Sequence, residues 1–482
     1  MKFIENLIRS IANETADKAI SRMVNDQYTE NLSATIPVGQ KIGMANLMEI
    51  LMRSAHGTPV PRPLGSPIHF SPWEKLLFNP VHLFRMPTPE KVAIDTSVTI
   101  GPRARKPLTI SIPIMIAAMS FGGALSKNAK LALAKAATAA GTATNSGEAG
   151  LLREEREAAS LFIGQYNRGG WMNTPDKYMQ LDAVEIQLGQ GAQGSASQRT
   201  TPKNIGEDYR EVYGLKEGEP SVIHSRLPGV DSPEEFIGLV GRLREETGVP
   251  VGLKIAATHH LEKELQIALD AGVDFITLDG AEGGTHGGAP TLQDDVGLPT
   301  LFAVARASRY LARKGAVGQV SLIATGGLVT PGCMLKAMAL GADAVYIGTA
   351  AMMALIGDQI VETAPFEAAT SLVVYTGKMT SELDVDRSAR NLARYLGACV
   401  TEMEQVAQSL GRTALSDISK SDLCTLDADI ARTTGLQWGW ASPDMQDEAL
   451  EWRTFPAAVS PERQPGRPTR ETEEVSVSAY SI

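Results

Sequence analysis

A lysine inside an apolar run, and glycine sets at the ends of two others, are the residues here whose types and places could do chemistry. Lys254 interrupts GLKIAA at 252–257, where an ammonium costs free energy unless it meets a partner. Pointing inward, it suits the N1 and O2 edge of a flavin, which becomes anionic on reduction; reaching out to solvent from a strand end is the competing reading. Gly326 and Gly327 in ATGGLVTPG, and Gly348 with Thr349 in YIGTA, each separate a short apolar run from a helical pattern. Backbone N–H groups there, helped by a helix start, would hold a phosphate. Tight strand-to-helix turns explain the same glycines without a ligand.

Other residues gather at similar boundaries. In AAMSFGG, Met119, Ser120 and Phe121 precede two glycines that would let a flat ring come close. Gln187 ends VEIQ, where its amide would bond a ring's polar edge or be satisfied within the core. Glu148, in TNSGEAG, would hold a cationic amino or imino group, or cap a helix. The segment LDGAEGGTHGGAPT at 278–291 crowds five glycines around a histidine, with Asp279 and Glu282 flanking the first of them. His259 and His260 are adjacent, so their side chains diverge and they read as polar rim residues rather than a metal pair.

The elements that must position these residues are short buried strands. Eight candidates, at 111–119, 141–147, 160–165, 183–189, 250–257, 274–280, 319–327 and 343–349, alternate with helical patterns such as LSKNAKLALAKAATAA and SPEEFIGLVGRLREETG. Eight such units predict a closed (β/α)8 TIM barrel. An open doubly wound sheet is disfavoured, because no GxGxxG follows the first strand and chemistry-bearing residues stand at nearly every strand end. Residues 1–95 read as an N-terminal extension, helical to about 53, with a proline-rich run at 58–80 that wraps irregularly, neither helix nor strand. The barrel spans 96–385 with an insertion at about 190–245, and 386–482 reads as a helical segment ending in a mobile or draped tail, RQPGRPTRETEEVSVSAYSI.

Composition narrows the setting. With 482 residues, 43% of them hydrophobic, the chain can bury a large core. A net charge of -10 argues against a nucleic-acid partner. Three scattered cysteines, Cys333, Cys399 and Cys424, fit reduced thiols and a cytoplasmic location. The start lacks the pattern of a secretory signal, and no apolar stretch is long enough to span a membrane. A packed helix is preferred over a surface-lying amphipathic one at residues 1–30.

Taken in order, AAMSFGGALS, TNSGEAG, VEIQLGQGAQG, VGLKIAA, DGAEGGTHGGAPTLQDDVGLP and the TGG to YIGTA stretch resemble the FMN-binding synthase domain of glutamate synthases, from about residue 100 to 355. The resemblance implies FMN, with Met119 and Ser120 near its ring, Gln187 and Lys254 at its polar edge, and Gly326, Gly327, Gly348 and Thr349 on its phosphate. It implies that Gly280, Gly283, Gly284 and Thr285 pack against the flavin and substrate site, the bare backbone making room for them. Glu148 matches a glutamate of the substrate pocket, and with Lys254 is the expected catalytic residue; Gln193, Gln198 and Arg226 are the further substrate-binding candidates.

The departures shape the expectation. The chain opens Met1, Lys2 rather than with the glutaminase cysteine, so no glutamine hydrolysis is expected on it. The family's three-cysteine cluster set is missing after the last barrel strand, so no iron-sulfur cluster is expected and no metal site is named. Where the family has a lysine that helps bind 2-oxoglutarate, this chain has Gln193; Arg199 or Arg226 would substitute, or the substrate differs. The expected function is a glutamate synthase-like oxidoreductase reducing the imine of a 2-oxo acid, 2-oxoglutarate or similar, to an amino acid, or running in reverse. Electrons would come from a separate protein, a ferredoxin or an NAD(P)H oxidoreductase. A flavin barrel acting on another substrate such as a hydroxy acid, and a non-catalytic flavin-binding electron-transfer subunit, are the alternatives; a homo-oligomer is left open.

Overall fold

Strands buried on both faces need helices on the outside and a filled interior, and the chain supplies both. The eight apolar runs form parallel strands β1 (Ile114–Ile116), β2 (Thr144–Asn145), β3 (Phe162–Tyr166), β4 (Ala183–Gln187), β5 (Val251–Ala256), β6 (Phe275–Asp279), β7 (Ser321–Thr325) and β8 (Ala344–Ile347). Hydrogen-bonded neighbours run β1-β8-β7-β6-β5-β4-β3-β2, and the Ile116 N–H donating to the Ala143 carbonyl at 3.0 Å brings the two ends together. The fold is the expected (β/α)8 barrel. This computed structural model describes residues 2–27, 33, 35–60, 62, 64–285 and 287–440. The expected tail at 463–482 and His286 of the glycine-rich segment lie outside the described residues.

Local chemistry sets the helix boundaries. The helix Pro233–Thr247, between β4 and β5, starts at a capping box in which Ser232 and Glu235 each bond the other's backbone, has proline in its first turn, and stops at Gly248 with φ 71°. Phe236, Leu239, Val240 and Leu243 form its buried face. Because this helix belongs to the barrel, the insertion is shorter than the expected 190–245. It carries the antiparallel pair Gln198–Thr200 with Ser221–Ile223 and the helix Glu207–Tyr213. Tyr209 and Tyr213 of that helix pack with Phe121, Ala149, Leu152 and Trp171, which fixes the insertion over the barrel mouth.

A further correction concerns the two ends of the chain. Within the proline-rich run, Trp73–Lys75 is a short 3-10 helix and Leu76–Phe78 a strand, paired antiparallel with Leu423–Thr425; the partner comes from the far end of the chain, which local sequence does not announce. A hairpin of Val98–Ile100 and Leu108–Ile110 precedes β1, and Ile100, Leu108 and Ile110 join the interior cluster of Met115, Ile163 and Phe275. The long helix Val385–Ser409 packs on Lys127–Ala140, the helix that follows β1. Among the described residues, no helix is long and apolar enough to cross a membrane.

Inside the barrel, one layer is polar. Glu185 of β4 has no exposed surface. Its carboxylate accepts from Asn145 Nδ2 at 3.1 Å, Gln165 Nε2 at 2.8 Å and Thr277 Oγ1 at 2.6 Å. Asn145 also meets the Tyr346 hydroxyl at 3.2 Å. Truncating Glu185 would strand three buried polar groups. We expect Glu185→Ala to cost about 3–5 kcal/mol, seen as a lowered urea midpoint, while Thr277→Val costs about 1 kcal/mol.

Candidate active site

A cavity of about 300 Å³ opens at the carboxyl ends of the strands, where barrels of this kind carry their chemistry. Met119 and Ser120 beyond β1, Glu148 beyond β2, Lys254 of β5, Gly283, Gly284 and Thr285 beyond β6, Gly326 and Gly327 beyond β7, and Gly348 and Thr349 beyond β8 all line it. So does Gln198 of the insertion. The structure therefore converges most of the residues singled out from the sequence on one hollow. Gln187, Gln193, Gly280 and Arg226 do not line it.

Each of those four has a physical account. Arg226 is a surface residue with its side chain 77% exposed and an ion pair to Asp231 at 3.3 Å, so it is not the substrate cation expected of it. Arg199 is likewise exposed. Gln193 is buried, its Oε1 accepting from Arg168 Nη2 at 3.3 Å and its Nε2 donating to the Ala196 carbonyl at 2.9 Å. Gln187 lies on the inward phase of β4, in register with Lys254, and neither atom of its buried amide has a hydrogen-bond partner. The reading of a satisfied core amide is therefore wrong, since buried polar atoms rarely stay unpaired without a reason.

The glycine-rich segment is explained by packing. A Cβ on Gly280 would stand 1.9 Å from Thr300 Oγ1, one on Gly287 1.8 Å from Gln198 Nε2, and one on Gly288 2.5 Å from the Ala192 carbonyl. Gly284 lies against Leu64 and Gly65 of the N-terminal run. Close protein neighbours thus account for Gly280, Gly287 and Gly288, while Gly283 and Gly284 lie on the cavity wall. Gly348 behaves differently, since a Cβ there would meet only Ala117 Cβ, at 3.8 Å.

The charges at the mouth come in pairs. Lys254 Nζ is 3.3 Å from Asp279 Oδ2, both side chains nearly without exposure; the lysine has turned inward to a carboxylate rather than out to solvent. Burial raises the Asp279 carboxyl above its ordinary range, and the Lys254 ammonium opposes that rise. Glu148 neither stands free nor caps a helix. Arg168, fully buried just past β3, donates through Nε to its Oε1 at 3.1 Å and through Nη2 to its Oε2 at 3.0 Å. Deeper, Lys130 reaches the carbonyls of Met119 at 2.6 Å and Asn145 at 2.9 Å while pairing with Glu155 at 2.8 Å. This ammonium holds the ends of β1 and β2 at the spacing that presents Ser120 and Glu148.

Sequence reasoning missed Arg168, Lys130 and the part of the N-terminal run, from Leu64 to Trp73, that contributes cavity wall. The charge in QYNRGGW, placed just after a strand, was a usable signal for Arg168. Nothing local signals that residues over two hundred positions upstream of the glycine-rich segment close over it. Arg62 fastens that run, bonding Asp294 at 2.7 Å and Glu49 at 2.5 Å. His259 and His260 are exposed, as rim residues would be.

The conserved region in glutamate synthase matches residues 82–413. The chain belongs to the glutamate synthase family. It is 32% identical over 406 residues to a glutamate synthase large subunit-like protein of Rhizobium meliloti, covering 80% of this chain and 91% of that one. An archaeal-type glutamate synthase (NADPH) of Thermotoga maritima is 34% identical over 327 residues, 67% of this chain and 64% of that one. For the archaeal glutamate synthase (NADPH) of Methanocaldococcus jannaschii the figures are 31% over 313 residues, 64% and 61%. The chain thus spans less than two thirds of these two longer relatives. Among solved structures, an (S)-mandelate dehydrogenase aligns at 13% identity with a TM-score of 0.48, over 73% of this chain and 88% of that one; nothing about function follows at that distance.

The buried carboxyls give the family member a pH signature. Burial lifts Glu155 from an ordinary 4.5 to about 7 against the pull of Lys130, and Asp279 shifts in the same direction. A carboxyl whose proton affinity is higher folded than unfolded contributes stability that is complete below pH 4.5 and disappears as pH rises through about 7. Glu155→Gln should flatten the decline in stability over that window, as measured by thermal melting at stepped pH.

Proposed function

We propose that this chain is an FMN-dependent, glutamate synthase-like oxidoreductase that interconverts the imine of a 2-oxo acid and the corresponding amino acid. One observation carries the reading: in a family member, the two glycine sets beyond β7 and β8 meet an inward lysine at one barrel mouth, and the neighbouring strand holds an unpartnered glutamine amide in register with that lysine. A flavin fits those residues on their chemistry. Gln187 supplies a donor and an acceptor that the chain leaves unused, and the position at Gly348 has room for a group other than protein.

Bound there, FMN would supply hydride-transfer chemistry, which no side chain provides. The residues of this chain have the other tasks. Gly326, Gly327, Gly348 and Thr349 would hold the phosphate through main-chain N–H groups, and Met119 and Ser120 would bound the ring. Gln187 and Lys254 would address its polar edge. Lys254 offers positive charge where negative charge accumulates, and Asp279 moderates it from 3.3 Å. A buried carboxyl with raised proton affinity can hold or release the proton that imine and amine exchange. Glu148, oriented by Arg168, would face the nitrogen of the substrate. A separate electron-donor protein, a ferredoxin or an NAD(P)H oxidoreductase, would reload the flavin, and the three free cysteines suit the cytoplasm.

The chain as purified should absorb in the visible or take up added FMN stoichiometrically. A colourless chain that refuses FMN ends this reading. Gly348→Ala should leave the thermal midpoint of the flavin-free chain within a degree or two, yet weaken FMN binding about ten-fold or more, roughly 1.4 kcal/mol. Lys254→Met should lower the flavin midpoint potential, because the anionic reduced ring loses its buried counter-charge.

A further inference from the structure

The charges on the cavity wall do not suit a substrate with a carboxylate at each end. Among the described residues that line it, Glu148, Asp279 and Glu282 carry carboxylates, Lys254 the ammonium, and His69 an imidazole at the exposed rim. That ammonium is committed to Asp279 at 3.3 Å. The other buried cation of the mouth, Arg168, has two of its nitrogens on the Glu148 carboxylate and does not reach the wall. Asp279 Oδ1 is buried beside the Gly191 backbone and no side chain donates to it, so what this carboxylate still offers is an acceptor, which a second substrate carboxylate cannot satisfy. Where the family resemblance places a lysine, Gln193 brings a neutral amide already bonded to Arg168 and Ala196. A dicarboxylate would therefore add negative charge to a wall with no uncommitted lysine or arginine to receive it.

The insertion end of the cavity is furnished with rings instead. Trp171, Tyr209 and Tyr213 line it with Glu148, the Trp171 and Tyr213 centroids 4.5 Å apart and those of Tyr209 and Tyr213 4.1 Å. Both hydroxyls are occupied: Tyr209 with Ser221 Oγ at 2.6 Å, and Tyr213 donating to the Phe121 carbonyl at 2.6 Å. What these residues offer a ligand is carbon surface. Gln198 and Thr200, on the same wall, provide neutral donors for a single carboxylate.

We infer that the substrate compartment of this chain accepts a 2-oxo or amino acid whose far end is uncharged and apolar, and discriminates against a dicarboxylate such as 2-oxoglutarate. The inference rests on the reading of this cavity as the site of reaction and narrows its substrate. Titration calorimetry on the full chain, comparing phenylpyruvate and 4-methyl-2-oxopentanoate with 2-oxoglutarate, tests it without requiring turnover. The apolar acids should bind about ten-fold tighter or better. Equal or tighter binding of 2-oxoglutarate overturns the inference, and so does failure of all three acids to bind. Gln198→Lys, which puts an ammonium on the wall, should move the ratio toward 2-oxoglutarate by about ten-fold, with Gln193→Lys as the second variant should the first not fold; a ratio that stays put overturns the assignment of this end of the cavity. Since binding is measured whether or not flavin is retained, a chain that refuses FMN would sink the cofactor reading while this comparison is decided by its own result.

Discussion

A carboxylate with no exposed surface, Glu185, accepts hydrogen bonds from β2, β3 and β6 across the inside of the barrel. Such a group is tolerable only if every donor around it stays in place, because an unpaired buried carboxylate costs several kcal/mol. The requirement works in both directions. Three strands far apart in sequence must arrive at one height, and the layer above them, which carries Gln187, Lys254 and Asp279, is set at a fixed level as a consequence. The apolar layer below, closed by the hairpin ahead of β1, needs no such agreement and tolerates exchange of one hydrocarbon for another.

Above that layer the charges are paired between neighbouring units: Lys254 of β5 with Asp279 of β6, and Glu148 after β2 with Arg168 after β3. Pairs of this kind add little net stability against hydrocarbon of the same volume, but removing one partner leaves the other stranded. Their value lies in orientation. Each fixes the direction of a polar side chain that would otherwise be free to turn, which is what a site for a flat ring and a small acid needs. The same pairing consumes the positive charge of the mouth, so its electrostatics follow from how the units satisfy one another and not from the number of lysines in the sequence.

The eight strands were legible because burial on both faces leaves a run of apolar residues that no loop carries, and the glycine sets beyond β7 and β8 were legible because they sit at boundaries of such runs. Glu148 and Lys254 stood out for a related reason, a charge where hydrocarbon was expected. Arg226 was misjudged because a lone arginine just ahead of a Pro-Gly turn looks the same whether it faces a cavity or water. Of the glycines at 280–288, Gly283 and Gly284 stand on the cavity wall, whereas Gly280, Gly287 and Gly288 face protein neighbours. A missing side chain announces close approach but not what approaches, and here the partners come from Leu64, Ala192, Gln198 and Thr300, on separate stretches of chain.

By itself, then, the sequence determined the barrel, the family and the strand ends that carry chemistry, since periodicity and local residue type are properties of contiguous stretches. Only the tertiary structure decided which charges cancel, that Arg168 rather than Arg226 stands at the mouth, that Gln187 is left without a partner, and that the run from Leu64 to Trp73 forms part of the wall. Those are facts about pairs of residues many positions apart. A pair's distance is set when the units close on one another, and no window of the chain contains both members.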